Sequence, residues 1–338
     1  MNSTQHTDTA EKHRLSVAPM LDWTDRHYRF LARQISRRAL LYTEMIHAGA
    51  LVYGDAARFL ETHPCEHPVA LQLGGSEPDL LARAAAKAAA AGFAQINLNC
   101  GCPSPRVQKG AFGACLMRDI PLVADCLNAI ADVAPDCETT VKHRIGLDRD
   151  TEYEPLAEFV GTLARQTPVR TFVVHARNAW LEGLSPKENR DIPPLRYDYV
   201  YRLKREFPEL NIVINGGITT NEQIADHLHT VDGAMVGREA YHNPMLMAEW
   251  DARFYGGTAP APNHAQVVEK MYDYAKRELA ENRHTTLRHI VRHSLGLMHG
   301  LTNARVWRRM LSDAELLQDN RAELILRAWD AVSGCLKT

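Results

Sequence analysis

The sequence predicts an α/β protein: a (β/α)8 TIM barrel followed by a small C-terminal all-helical bundle. Three observations carry this. Short apolar runs recur eight times, with helix-sized spacers between them. Each run closes on a polar or otherwise unusual residue, as strands do where a barrel gathers its active face. Beyond residue 262 the runs give way to apolar residues at helical spacing.

Taken in order, Leu15–Ala18 ends at Pro19-Met20, and Leu40–Tyr42 leads to Glu44. Val69–Leu73 carries Gln72, and Gln95–Leu98 carries Asn97 and leads to Asn99. Thr139–Val141 ends at Lys142, Thr171–Val174 at His175, Asn211–Ile214 at Asn215, and Gly233–Val236 at Gly237-Arg238. Continuous apolar runs suit parallel strands buried on both faces. The spacers read as helices: Asp79–Ala91 is alanine-rich and stops at Gly92, and Leu122–Val133 is amphipathic. Residues 256–262, rich in Gly and Pro, read as a linker. Asn263 is placed to cap a helix carrying Val267, Val268, Met271, Ala275 and Leu279. Leu287, Ile290, Val291, Leu295 and Met298 form a second stripe, from which Arg288, His289, Arg292 and His293 are expected to turn away. Two more helices are expected, around Arg305–Leu311 and from Ala322 to Leu336. The domain reading is a disordered polar tail over 1–14, a barrel over 15–255, the linker, and a helical domain over 263–338.

Composition narrows the class. The chain has 338 residues, 45% hydrophobic and 24% charged, with seven cysteines at irregular spacing. That pattern predicts free thiols in a reducing, cytoplasmic setting. No run of about 18 apolar residues occurs, so no membrane partner is expected. No cysteine or histidine ladder has zinc spacing, and no metal is expected; His289 and His293 are four apart but lack an accompanying HExxH glutamate. The net charge of −2 hides a segregated stretch: Asn282–Ser312 has no Asp or Glu but holds Arg283, Arg288, Arg292, Arg305, Arg308 and Arg309. Such a stretch is the footprint of a polyanion partner.

The strand ends carry the chemistry. Asn215-Gly216-Gly217 and Gly237-Arg238 follow the last two strands, where barrels of this kind bind phosphate through backbone N–H groups. With Gln72, Lys142 and His175 converging on the same mouth, the phosphorylated ligand expected is FMN. Cys102 sits between Gly101 and Pro103, in glycine-punctuated sequence just past a strand. A thiol there faces a ligand rather than filling the core.

These residues closely resemble the tRNA-dihydrouridine synthases, A-type subfamily. The matching stretches are 16–26 (SVAPMLDWTDR), 71–75 (LQLGG), the loop Asn97–Met117, Val141-Lys142, His175-Ala176-Arg177, 183–190 (GLSPKENR), 214–217 (INGG) and 236–240 (VGREA). The resemblance implies an FMN barrel with a C-terminal helical domain, reducing uridines 20 and 20a of the tRNA D-loop with NADPH. It implies Cys102 as the proton donor. Flavin contacts would come from Pro19, Met20, Leu21, Gln72, Lys142, His175, Asn215, Gly216, Gly217, Gly237 and Arg238. tRNA contacts would come from Asn99, Lys187, Arg190, Arg305 and Arg308. Cys100 departs from the family, where an aliphatic residue is more usual. If the strand continues that far, alternation puts Cys100 on the same face as Cys102. No obligate protein partner is implied. Two other readings stand beside this one: an FMN-dependent small-molecule pyrimidine reductase of the dihydroorotate dehydrogenase type, and an RNA-binding barrel without flavin.

Overall fold

In the computed structural model the described residues are 11–282 and 284–334. Residues 1–10, Arg283 and Cys335 onward lie outside them. The described chain divides into two compact units. The first comprises residues up to Leu21, Leu40–Thr62 and Pro68–Gly237; the second comprises Asp22–Ala39, His63–His67 and Arg238 onward.

The first unit is the eight-stranded parallel barrel. Its strands are β1 (Leu15–Val17), β2 (Leu41–His47), β3 (Val69–Gly74), β4 (Gln95–Cys100), β5 (Glu138–Arg144), β6 (Thr171–His175), β7 (Asn211–Asn215) and β8 (Gly233–Val236). They follow one another around the sheet, and β8 pairs with β1. Closure between β1 and β2 is made at Ser16 and Leu40, with Val17 N donating to Leu40 O at 3.0 Å and Leu40 N to Leu15 O at 3.0 Å. Outward-facing Leu71, Ile96, Leu98, Val141, Phe172 and Ile214 are fully buried against the helical layer. Inside, Leu40, Tyr42, Ala70, Val173, Val213 and Met235 pack together, with Met20 against them.

Helices of eight residues or more are numbered here: α1 (Arg26–Ile35), α2 (Pro78–Ala90), α3 (Ile120–Val133), α4 (Glu154–Gln166), α5 (Tyr197–Glu206), α6 (Asn221–Leu228), α7 (His264–Glu281), α8 (Ala304–Ser312) and α9 (Glu323–Ser333). Helices α2 to α6 belong to the barrel unit. Asn263 caps α7 as expected, accepting from Gln266 N in a reciprocal capping box.

Three expectations differ from the structure. Residues 11–14 are not a loose tail: Lys12 Nζ and His13 Nε2 each lie 2.8 Å from the Glu138 carboxylate, and Arg14 O accepts from Ala234 N. A charged anchor at the base of β5 and a ladder bond to β8 outweigh their polar composition. Several strands run beyond their apolar runs, because a polar side chain pointing into the barrel ends a run without ending a strand. In the second unit, α1 and residues 63–67 join the C-terminal helices. Buried Arg29 pairs with Glu66 at 2.8 Å, and Tyr28 Oη donates to Ala240 O at 2.9 Å. Contacts so far apart in sequence leave no local signal.

Candidate active site

The barrel mouth is built on a ladder of inward-facing amides. Gln72 and Asn97 are neighbours across β3 and β4, and Asn97 and Thr140 across β4 and β5. Gln72 Nε2 donates to Asn97 Oδ1, and Asn99 Nδ2 donates to Gln72 Oε1, both at 2.8 Å. Asn97 Nδ2 donates to Thr140 Oγ1 at 2.9 Å. Buried amides satisfied this way form a rigid platform, because losing any one partner leaves a desolvated group unpaired.

At its top the ladder fixes the thiol loop. Asn99 Oδ1 accepts from Gly101 N at 3.1 Å and from Cys102 N at 3.0 Å. Cys102 O accepts from Ala114 N at 2.9 Å. Gly113 closes the loop at φ +75°, and a Cβ there would stand 2.6 Å from Cys102 O, so glycine is required by backbone and space alike. Burial pushes the Cys102 thiol up. The Ser104 backbone bond and the charges of Arg144, Lys142 and Arg190 act against burial without overcoming it. The group at rest is therefore a thiol.

Lys142 lies beside Asn99 across β4 and β5. Burial, and then the charge of Arg144, bring its ammonium down to about 7, with only Cys102 acting the other way. Lys142 forms no ion pair among the described residues; the bridge to Glu44 that a barrel-mouth lysine could form is not made. Two residues on, Arg144 is buried. Its Nε donates to Gly101 O at 3.1 Å, and its Nη1 donates to Asn178 O at 3.1 Å and Asn189 O at 3.0 Å. One guanidinium thus ties together the Cys102 loop, the loop after β6 and the 183–190 loop.

The phosphate-site residues sit after β7 and β8. Gly216 has φ +111°, and a Cβ on it would lie 3.2 Å from the His175 imidazole, so the ring rests directly over this backbone. Tyr197 Oη holds the turn by donating to Gly216 O at 2.6 Å. A Cβ on Gly237 would meet only Ala18, at 3.8 Å, which leaves room above that backbone. Asn215 turns its amide down instead, donating to Met235 O at 2.8 Å. Pro19 and Met20 are half-buried, and Leu21 is 67% exposed. Arg238 is the first residue of the second unit and opens a short helix, Arg238–His242. A cation without a counter-ion, a glycine cradle and an apolar floor at Met20 fit a flat, anionic, phosphorylated cofactor such as FMN.

Several expected roles change. Gln72 and Lys142 lie within strands rather than at their ends. Cys100 does not share a face with Cys102. It is fully buried and feels Cys126 and Cys115, because β4 stops at Cys100 and the chain turns at Gly101. In the second unit His293 does not turn away from the core. It is fully buried with Nε2 2.9 Å from Asp25 Oδ2, while Arg292 Nη2 donates to the same oxygen at 2.7 Å. The helix begun at Leu287 ends at Val291, so helical spacing no longer governs which way residue 293 faces. Lys187 and Arg190 are exposed on the barrel unit, and Arg305 and Arg308 on α8. Lys187, Arg305 and Arg308 form no ion pair among the described residues.

Three contributors escaped sequence reading: Arg144, Asn189 and Tyr197. Arg144 had a signal, since it alternates with Lys142 along β5. Asn189 accepts from Trp180 N and donates to Trp180 O across a loop, and Tyr197 reaches Gly216 from α5. Neither contact has a local signature.

The dihydrouridine synthase (Dus) family profile matches residues 16–332. The tRNA-dihydrouridine(20/20a) synthase of Escherichia coli K12 is 52% identical over 309 residues, covering 91% of this chain and 88% of that protein. The protein of the same name from Pseudomonas aeruginosa is 52% identical over 299 residues, covering 88% and 89%. That from Synechocystis is 52% identical over 317 residues, covering 94% of each. Among solved structures, morphinone reductase superposes with TM-score 0.50 at 15% identity, covering 75% of this chain and 88% of that one. A 2-naphthoyl-CoA reductase complex gives TM-score 0.52 at 10% identity, covering 70% and 49%. These two likenesses speak to the barrel fold alone.

Proposed function

The chain belongs to the dihydrouridine synthase family, and from that premise we propose that it reduces the C5=C6 bond of D-loop uridines 20 and 20a in tRNA, with FMN as cofactor and NADPH as reductant. The observation that carries this reading is the pairing of a protonated thiol, Cys102, with an ammonium that lacks a counter-ion, Lys142, at one barrel mouth.

Saturating a uracil double bond needs a hydride at C6 and a proton at C5. A bound flavin supplies the hydride. Cys102 supplies the proton, and its surroundings suit both halves of that task. Burial keeps the thiol protonated before transfer. The charges of Arg144, Lys142 and Arg190, with the Ser104 N–H, stabilise the thiolate left afterwards. Asn99 and Arg144 hold the loop so that the sulfur stays in register; Asn99 also meets the target nucleotide. Lys142 would place positive charge against the bound cofactor and Gln72 would offer it its remaining amide hydrogen, while His175 stands over the Gly216 backbone. Gly216, Gly217, Gly237 and Arg238 would receive its phosphate, with Asn215 bracing their turn. Pro19, Met20 and Leu21 would provide the apolar surface for its ring.

A uridine within folded tRNA must be unstacked to reach this mouth, at about a few kcal/mol. The exposed cations Lys187, Arg190, Arg305 and Arg308 supply backbone contacts toward that. The small-molecule reading gives these cations no task. The six described cysteines are free thiols, and we place the enzyme in the cytoplasm. Among the described residues no helix is long and apolar enough to cross a membrane.

The test is nucleoside mass spectrometry of tRNA from a dihydrouridine-deficient strain, incubated with the flavin-loaded protein and NADPH. New dihydrouridine at positions 20 and 20a is expected. Its absence from a protein whose flavin NADPH reduces would redirect the reading to free pyrimidines.

A further inference from the structure

The helical unit carries a concavity of its own. It is an open groove of about 800 Å³, within the range of about 300–1,000 Å³ that small-molecule sites occupy. Leu295, Leu301, Ala304 and Val306 are half-buried and line it with apolar surface. Arg305, Arg308 and His299 stand exposed at its rim, and α8 begins inside it. Asn303, at φ 64°, faces the same space, and its side-chain amide makes no hydrogen bond among the described residues. His242, also lining the groove, links it to an aromatic pair. The His242 ring meets Trp23 edge-on at 5.0 Å, and Trp23 stacks on Tyr241 at 4.4 Å with an interplanar angle of 11°.

This combination selects among polyanion contacts. A duplex backbone needs a basic surface but no apolar floor. A small inorganic anion needs neither the floor nor the His242 ring. A single unstacked nucleotide uses all of them: its base face leaves water against the apolar floor and the His242 imidazole, its edge can meet a free amide, and its phosphate meets guanidinium groups. We propose that this groove receives one unpaired nucleotide of the tRNA, distinct from the uridine being reduced, with its base on the apolar floor, its edge at Asn303 and its phosphate at Arg305 and Arg308. The inference rests on the tRNA reading above and adds to it a subsite occupied by a base.

The test uses the full-length flavoprotein and an unmodified tRNA transcript. Ala304→Trp fills the groove without changing charge. It should weaken tRNA binding about tenfold, in the range of losing one base stack, and leave the salt dependence of binding unchanged. Arg305→Ala with Arg308→Ala should instead flatten the salt dependence by about 1–2 in log–log slope. Transcripts made abasic at each unpaired position in turn should reveal one position, other than the reduced uridine, whose loss costs the wild type about tenfold and costs Ala304→Trp nothing further. Normal affinity in Ala304→Trp, with the double arginine variant still weakened, would overturn the groove assignment and leave the tRNA reading standing. Normal affinity and slope in both variants would remove the tRNA role of this unit and the proposal with it. A raised KM for NADPH in Ala304→Trp, with tRNA affinity unchanged, would assign the groove to the reductant and overturn the proposal. Leu295→Trp is the second filling variant should Ala304→Trp lose flavin or its cooperative thermal transition.

Discussion

Lys142 shows how a single residue can be poor for the stability of the ligand-free protein and suited to its task. Its ammonium is brought down to about 7 by burial and by Arg144, against an ordinary value of 10.5. Below pH 7 the folded protein carries the full penalty of a poorly solvated charge. Between 7 and 10.5 the unfolded chain binds one proton more than the folded one, so stability of the ligand-free protein rises with pH across that window. Lys142→Met should therefore raise the apoprotein Tm at pH 6 by at least about 2 °C while weakening flavin binding. A scan of Tm against pH for both proteins, without flavin, checks the sign; a lower Tm in the variant would show that the ammonium has a counter-ion. Lys142 and His175 stand out as candidates in the sequence because each closes an apolar run, and Cys102 because it sits between Gly101 and Pro103 just past one. Arg144 lacks that mark: the apolar run ends at Lys142, whereas β5 continues and alternation returns the next side chain but one to the same face.

At the scale of elements, the loop from Gly101 to Gly113 is held by three devices: the Asn99 side chain, the Arg144 clamp and the positive φ of Gly113. Gly113→Ala places a methyl 2.4 Å from Val107 Cγ1 and 2.6 Å from Cys102 O. It should cost roughly 1–3 kcal/mol and lower kcat about 100-fold through misplacement of the thiol, with flavin content unchanged. Stopped-flow reoxidation of the reduced flavin by tRNA measures this directly. Arg144→Met removes the donor shared by Gly101, Asn178 and Asn189 carbonyls. A loss of about 3 kcal/mol in urea unfolding is expected, and Arg144→Lys should recover only part of it because an ammonium cannot reproduce the guanidinium fork. All eight strands were legible from the apolar runs, and α2, α3, α7, α8 and α9 from spacing; α1 and α4 to α6 were not singled out. Strand ends were not, since Gln72, Asn97, Asn99 and Lys142 are polar yet lie inside strands. The short helix ending at Val291 broke the face assignment that placed His293 outside.

At the scale of the whole molecule, the barrel's base depends on an anchor contributed by residues before β1. Burial alone would raise the Glu138 carboxyl; bonds and charges from His13 and Lys12 bring it to about 2 instead, from an ordinary 4.5. That stabilisation is fully present above about pH 4.5 and is lost as pH falls toward 2, an amount of about 3 kcal/mol at most. Glu138→Gln should be less stable than wild type at pH 6, and the gap should close on acidification; denaturant unfolding at pH 6 and pH 3 checks it. In the second unit Asp25 behaves alike: burial would raise its carboxyl, but bonds to His293 and Arg292 hold it well below the usual range. Barrel and helical bundle were both visible in the sequence as classes. The sharing of Asp22–Ala39 and His63–His67 with the C-terminal helices was not, because Arg29–Glu66 and Asp25–Arg292 join residues 37 and 267 positions apart.

Cys102 as the proton donor is the step on which the proposed reaction depends. The most direct measurement is the rate of dihydrouridine formation in tRNA by Cys102→Ala, read by nucleoside mass spectrometry beside its flavin content and tRNA affinity. Wild-type flavin loading and tRNA affinity are expected, with dihydrouridine formation at least about 100-fold slower. Dihydrouridine made at the wild-type rate by the flavin-loaded variant would contradict it, and the proton would have to come from another group at the barrel mouth.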